Sequence, residues 1–464
     1  NSNRLRTTDF MRILLPIFLT LVSVSLLKAQ PALPPGLGGE DKPESPPLPP
    51  GLSIGSAQKE EKDIAPSRPS LNLSGSLELR SGMRLQNDPV SEDSTLNELR
   101  LQLQNRGQLG DWNYRLTGDF LYDDEADSRS IDFRSGEGWF DLREATLAGQ
   151  LNASLDLKLG RQTTTWGTGD LLFINDLFPK DWQSFLLGRD EEYLKAPGNA
   201  ARLNFFSEAI NLDVVFSPRF DPDRFITGER LSYFDPGSDD LVGKNQVVNP
   251  RYPSAHEFAL RAHRLIGSAE VAFYFYDGFW KSPAGQSADG RAIFPSLQVT
   301  GASWRQPALD GILYSEIGYY NSKDDSSGLD PSIRNSETRW LAGYERELGE
   351  NLTGSFQYYA EHRSHQHAFA DGFPDGASVP DRTRHLLTMR LTKLALMQNL
   401  RLSLFTFWSP SDEDFYVRPQ FQYQYDDHWT FGGGMNVFEG TETSTFFGQF
   451  ENNSNVYLFG RYGF

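Results

Sequence analysis

N-V-Y-L-F-G-R-Y-G-F, residues 455–464, puts Val456, Leu458, Tyr462 and Phe464 on one side of an extended chain, with Gly460 among them. Tyr457, Phe459 and Arg461 fall on the other side. Side chains alternate across a strand, so the run reads as β with one apolar and one mixed face. The same period holds from Leu71 onward. In 71–85, Leu73, Leu77, Leu79, Met83 and Leu85 oppose Ser74, Ser76, Glu78, Arg80 and Arg84. Leu99, Leu101 and Leu103 oppose Glu98, Arg100, Gln102, Gln104 and Arg106, and 112–123 repeats the pattern. About eighteen such segments follow one another, an even number that suits a closed antiparallel barrel in a membrane.

The connections sort by length. Short ones at 105–112, 151–153, 266–268 and 426–429 trade places with long polar ones at 124–137, 219–254, 279–294, 323–335 and 365–381. A transmembrane barrel has short periplasmic turns and long outer loops, whereas a soluble sandwich has no reason to sort its loops this way. Residues 455–464 resemble the last strand of bacterial outer-membrane proteins. That resemblance implies that Phe464 is read by the barrel-assembly machinery. Trp112, Trp408, Tyr423 and Tyr425, near strand ends, fit interfacial girdles.

Composition agrees. Of 464 residues 38% are hydrophobic but 13% are aromatic, and 33 Phe, 18 Tyr and 41 Gly favour pleated strands and turns. The absence of cysteine excludes disulfides and thiolate metal sites. A net charge of −18 argues against nucleic acid as a partner. Residues 11–29 read as a signal peptide, with Arg12 ahead of an apolar run from Ile13 to Leu27, and 1–10 as upstream translation. Residues 30–70 form a Pro-rich periplasmic leader that repeats L-P-P-G-L at 33–37 and 48–52, a spacer or a dock for a periplasmic partner. The barrel is expected over 71–464.

The polar faces carry the informative chemistry. Alternation turns inward Arg80 and Arg84 on the first strand, Arg100 and Arg106 on the second, and Arg115 on the third. Arg384 and Arg390 follow on the fourteenth, Arg401 and Arg418 on the next two, and Arg461 on the last. Closure of the barrel would join these ten arginines into one wall. Inward acids (Glu78, Glu98, Asp119, Asp213, Glu257, Glu270 and Glu316) can pair with it, so the wall is a bracing lattice, an anion track, or both. Acids at 122–127, 220–223, 239–240 and 324–325 fall in long loops, where they solvate the outer face or meet cations bridging lipopolysaccharide. His362, His365 and His367 have a spacing open to a transition metal but read better as a polar loop. No Ser–His–acid set stands out for hydrolysis, and no cofactor motif is visible, so an enzyme is not expected.

One stretch breaks the period. Leu155, Leu157 and Leu159 alternate with Asp156 and Lys158, and then Arg161 falls on the apolar parity. On the preceding strand Phe140 and Leu142 give way to Ala145 and Leu147, with Arg143 and Glu144 at the switch. An Arg facing lipid costs about 2–4 kcal/mol at mid-bilayer, so a bulge at or next to Gly160 that turns Arg161 inward is expected. The segment beyond, L-L-F-I-N-D-L-F-P-K-D-W (171–182), is too apolar for a free loop and too irregular for a strand. It is expected to fold into the lumen as a constriction, with Glu144 and Arg161 at its base and Trp166, Asp170, Asp176, Lys180, Asp181 and Trp182 within it.

L-R-E-A-x-L (142–147), L-G-R-Q-T-x-x-W-G-x-G-D (159–170), D-x-F-P-K-D-W (176–182) and 446–458 resemble porin-like outer-membrane barrels of the alginate-export type and relatives of unassigned substrate. The resemblance implies a barrel of 16–18 strands that carries a solute. The expectation is an outer-membrane channel for small or oligomeric anionic organic solutes. The alternative is the outer-membrane end of an export system docked through the leader.

Overall fold

Alternating apolar and polar residues leave each strand with one face for lipid and one for the interior, and closure of the sheet satisfies every strand edge. The computed structural model describes residues 72–125, 130–372 and 379–464; the signal peptide and leader expected within 1–70 lie outside them. Eighteen strands form one sheet. They are Leu73–Arg84 (β1), Ser94–Leu109 (β2), Trp112–Asp123 (β3), Phe140–Asn152 (β4), Leu155–Gln162 (β5) and Gly198–Phe205 (β6). Asn211–Ser217 (β7), Glu257–Ile266 (β8), Ala269–Phe279 (β9), Ser296–Ala308 (β10), Gly311–Ser322 (β11) and Glu337–Gly349 (β12) follow. Leu352–Arg363 (β13), Thr383–Ala395 (β14), Leu400–Ser409 (β15), Asp414–Gln424 (β16), Trp429–Gly440 (β17) and Asn455–Gly463 (β18) complete it.

Every neighbouring pair is antiparallel and follows chain order. β18 returns to β1, with Leu77 opposite Tyr462 and Arg84 opposite Asn455, and closes the barrel. Phe464 continues the seam: its N–H and C=O each bond Gly75, at 3.0 Å.

Burial is inverted relative to a soluble protein. Leu79 is 64% exposed and Leu458 60%, while Arg80 is 1% exposed and Asp119 fully buried. Apolar side chains outside and ionised ones inside are what a bilayer demands of a barrel. At one end the strands are joined by turns no longer than 206–210; at the other lie 124–139, 163–197, 218–256 and six more connections, of which only 410–413 is short. Two small hairpins, 233–235 with 240–242 and 285–286 with 292–293, form within the long connections.

The break in period is resolved on β4. Thr117 pairs with Glu144 and Gly118 with Leu142, so Arg143 is the extra residue and both Arg143 and Glu144 turn inward. The bulge expected at Gly160 is displaced to this position, because β4–β5 and β5–β6 pairing runs unbroken through Gly160. Gly160 still does what its neighbour requires. It sits at φ +115°, where a Cβ would lie 2.1 Å from the Ala145 carbonyl oxygen, and Arg161 beyond it is buried.

Candidate functional site

The chain leaves the wall after Gln162 and returns at Gly198. Between them, 163–197 crosses the lumen and is fastened to the wall strand by strand. Glu316 on β11 is the first anchor. Its buried carboxylate accepts from the Thr168 backbone N–H, the Thr168 hydroxyl (2.9 Å), Gly169 N–H (2.8 Å), Asn175 N–H (3.3 Å) and the Asn175 amide (3.0 Å). Gln357 on β13 clamps Asp170, accepting from its N–H and donating to its C=O, both at 2.8 Å. Arg390 on β14 binds the Asp170 carboxylate through two nitrogens (2.6 and 3.0 Å) and Glu191 at 3.0 Å.

Residues Trp182–Leu187 form a short helix, α1. The Asp181 carboxylate caps it by accepting from Ser184 N–H at 2.7 Å, and Gly188 ends it at φ +85°. Gly188 is needed twice over, for this positive φ and because a Cβ there would enter the Tyr457 ring; its carbonyl accepts from Arg80 at 2.6 Å. Asp190 then meets Arg80 (2.8 Å) and Arg461, while Arg189 reaches Glu98 on β2 (3.0 Å). Arg418 on β16 donates to the Arg189 carbonyl at 2.9 Å and lies over the Phe185 ring. Tyr193, in the following 3-10 turn, is held between the guanidinium groups of Arg100 and Arg143.

A second inward element was not expected. F-D-P-D (220–223) reads as a solvated acidic loop, yet Phe220, Asp221 and Asp223 are buried. Asp223 accepts from Lys180 N–H (2.7 Å), the Trp182 indole (3.1 Å) and Ser282 (2.7 Å), and Asp221 accepts from Asn199 N–H (2.7 Å). Burial pushes the Asp223 carboxyl up from its ordinary range, against the pull of Lys180. Arg224 joins the wall acid Asp141 (2.8 Å) to the helix cap Asp181 (3.2 Å); burial opposes its charge, but the two carboxylates win and raise its pKa. No local pattern marks Arg224, because its partners lie 83 and 43 residues away.

The base of the segment differs from the expected one. Arg161 does not touch Glu144: it donates to the carbonyls of Leu142 (2.5 Å) and Phe133 (2.7 Å), bracing the 124–139 connection. Glu144 pairs instead with Lys158 (3.0 Å) and Arg115 (3.6 Å). Within the segment Lys180 binds Asp176 at 2.9 Å, Asp176 accepts from Thr165 at 2.7 Å, and Trp166 packs edge-on to Phe178.

The ten arginines lie on β1, β2, β3, β14, β15, β16 and β18, and most are engaged. Arg80, Arg390, Arg418 and Arg461 hold the segment; Arg100 pairs with Glu98 (2.7 Å) and Asp119, and Arg384 with Asp412. Arg84 reaches Asn453 (3.3 Å) and the Arg230 carbonyl (2.5 Å). Arg106, Arg115 and Arg401 face the short-turn end of the lumen and are exposed; among the described residues neither Arg106 nor Arg401 has an ion-pair partner. Among these arginines and on the neighbouring strands the inner face is also aromatic: Tyr320, Tyr359, Phe405, Phe407, Tyr416 and Phe438 pack with Ile174, Phe178 and Phe185 of the segment into a core inside the barrel.

The three histidines do not converge. His362 bonds Thr383 at 2.7 Å from the end of β13, His365 precedes the short helix Gln366–Asp371 (α2), and His367 lies within it. Among the described residues no three His, Asp or Glu side chains lie close enough together to hold a metal ion.

No family model matches the chain, and no curated protein matches it in sequence. Solved barrels match it in shape. OccAB4 of Acinetobacter baumannii is 10% identical with a TM-score of 0.51, over 84% of this chain and 97% of that one. OccK11 (OpdR) of Pseudomonas aeruginosa gives 9% and 0.49, over 84% and 95%, and the outer membrane channel DcaP of A. baumannii gives 13% and 0.38, over 85% and 97%. The fold is that of a bacterial outer-membrane barrel. The likeness is one of architecture, and function rests on this chain's own residues.

Proposed function

We propose that this protein is an outer-membrane channel for small or oligomeric organic anions, with the short turns in the periplasm and the 163–197 segment as the constriction. The observation that carries the reading is the segment itself, which narrows a lumen otherwise wide enough to be unselective. Side chains on at least seven strands, among them Arg80, Glu98, Glu316, Gln357, Arg390, Arg418 and Arg461, hold it by direct hydrogen bonds or ion pairs. Removing one partner of such a buried pair costs about 3–5 kcal/mol, so the segment is a fixed part of the pore.

Anion preference is supported by the cations that remain uncommitted. Arg106 and Arg401, which have no ion-pair partner among the described residues, are exposed on the inner face toward the short turns. In open water their fields fade within about 8–10 Å at physiological salt; beside an apolar segment the local dielectric falls and the attraction grows. The motif run that resembles alginate-export-type barrels builds β4, β5 and this segment, which favours a shared means of narrowing the pore. The test is a planar-bilayer recording of the purified protein in a salt gradient. A reversal potential of the sign set by chloride is expected. Absence of channels, or a potential set by the cation, overturns the proposal.

A further inference from the structure

His362 stands apart from the other two histidines of H-R-S-H-Q-H and next to a fourth. On β13 it lies opposite Thr383 of β14, while His385, two residues further along β14, lies opposite Ala360. The two histidines are diagonal neighbours on adjacent strands, about 7–8 Å apart. They share a parity with Trp340 and Phe356, which are 41% and 52% exposed, so both face the lipid.

Each ring is aimed. The Thr383 hydroxyl bonds His362 Nδ1 and the Tyr358 hydroxyl bonds His385 Nδ1, both at 2.7 Å. With each hydroxyl donating, the ring proton sits on Nε2, and among the described residues neither Nε2 is hydrogen-bonded. Two N–H donors therefore point outward from one patch of the wall.

Aromatic side chains fix the depth of this patch. Trp340, whose indole N–H donates to Ser315 at 3.1 Å, meets Tyr358 edge-on, and Tyr358 stacks on His385. Trp408 lies beside them, opposite Leu387. Such rings sit at the headgroup level of a membrane. His385 is level with Trp340, since both lie opposite Ala360. His362 is about 7 Å nearer the long connections. On the other side of Tyr358, Phe356, Leu387 and Met389 continue the same face as an apolar path. Asp381 and Arg382, exposed at the outer edge, are of opposite sign, so the two imidazoles set the preference.

We propose that this patch docks the phosphorylated glycolipid of the outer leaflet. His362 and His385 direct their Nε2–H groups at a lipid A phosphate, and the acyl chains run past Tyr358 and Phe356. The anion supplies an acceptor where water gives way to lipid, and protonation of either ring strengthens the contact. The inference rests on the orientation proposed above, with the short turns in the periplasm and the long connections outside.

The purified protein, stripped of lipid in detergent, is titrated with bisphosphorylated lipid A, dephosphorylated lipid A and phosphatidylglycerol, and bound lipid is counted by native mass spectrometry. Lipid A should bind about tenfold more tightly than its dephosphorylated form, as the loss of a charge-assisted hydrogen bond implies. His362→Leu combined with His385→Leu keeps a lipid-compatible face and should abolish that difference. His362→Arg combined with His385→Arg should retain it, which separates loss of the donors from a folding defect. Equal binding of the two lipid A forms to wild type, discrimination that survives the double Leu variant, or phosphatidylglycerol binding as tightly as lipid A would overturn the proposal. Orientation is read separately. Ser326→Cys, exposed in a long connection of a chain without cysteine, should react with an impermeant maleimide on intact cells. If it does not react, the orientation itself has failed, and the patch does not face the outer leaflet.

Discussion

Replacing Glu316 by Leu removes the acceptor on which five donors converge, while keeping a side chain of similar size on β11. The backbone N–H groups of Thr168, Gly169 and Asn175, with the Thr168 hydroxyl and the Asn175 amide, lose their partner in a buried site. Each buried donor left unpaired costs about 1–3 kcal/mol, though water recovers part of this once the segment lifts. A net loss of about 3–5 kcal/mol is expected, the cost of breaking a buried charged contact. At about 1.4 kcal/mol per tenfold, that is a hundred-fold to several-thousand-fold rise in the open population of this stretch. The loosening stays local: Arg390 still holds Glu191, and Arg80 and Arg461 still hold Asp190. Hydrogen exchange read by mass spectrometry on the detergent-solubilised barrel separates the cases. Peptides covering 166–176 should exchange faster by that factor, with β1–β18 peptides unchanged. Unaltered protection at 166–176 would show that Glu316 does not anchor the segment and would refute the reasoning.

Gly160→Val forces a β-branched residue to φ +115° with its Cβ against the Ala145 carbonyl oxygen, so the fraction of heat-modifiable, assembled barrel on unboiled gels should fall sharply. Arg224→Met leaves Asp141 and Asp181 buried without their shared partner, a loss of about 3–5 kcal/mol, and the 218–256 connection should be cut faster by added protease while the barrel stays intact. Burial, with Glu229 close by, pushes the Glu137 carboxyl up to about 7. A carboxyl raised in the folded state binds its proton more tightly there, so the contact between 124–139 and 218–256 weakens as pH rises from the ordinary carboxylate range to about 7 and levels off above. Protease cleavage in those connections should increase over that window in wild type and lose the trend in Glu137→Gln.

What could be read from the sequence follows from the range over which each force acts. Alternation is local and its violation costs energy residue by residue, so the lipid-facing leucines of β1 and β2, the strands that carry the arginines and the break in period at Arg143, Glu144 and Arg161 were legible. The contacts that seat the segment are not local: Glu316 meets Asn175 across 141 residues and Arg461 meets Asp190 across 271. An inward Arg therefore looks the same in sequence whether it is free, like Arg401, or fully engaged, like Arg80. Helix α1 escaped notice because one and a half turns carry no period; only its ends, Asp181 and Gly188, mark it. The aromatic inner face escaped for a related reason. Where Phe405, Phe407 and Tyr416 face a core inside the barrel, both faces of a strand are apolar and parity no longer says which way lipid lies. Asp221 and Asp223 misled in the opposite sense, because acids in a long polar connection resemble a solvated tip until Lys180, Trp182 and Asn199 are brought to them.

The most direct test of the constriction is the single-channel conductance and reversal potential of a variant lacking residues 171–180, recorded beside wild type in the same salt gradient. That deletion removes the apolar body of the segment, Ile174 and Phe178 included, while leaving β5, β6 and the strands that carry the arginines in place. Conductance should rise severalfold and the anion-set potential should shrink toward zero, as a wide lumen screens its charges. A deletion variant that assembles normally yet keeps the wild-type conductance and reversal potential would place the segment outside the ion path and contradict the proposed function.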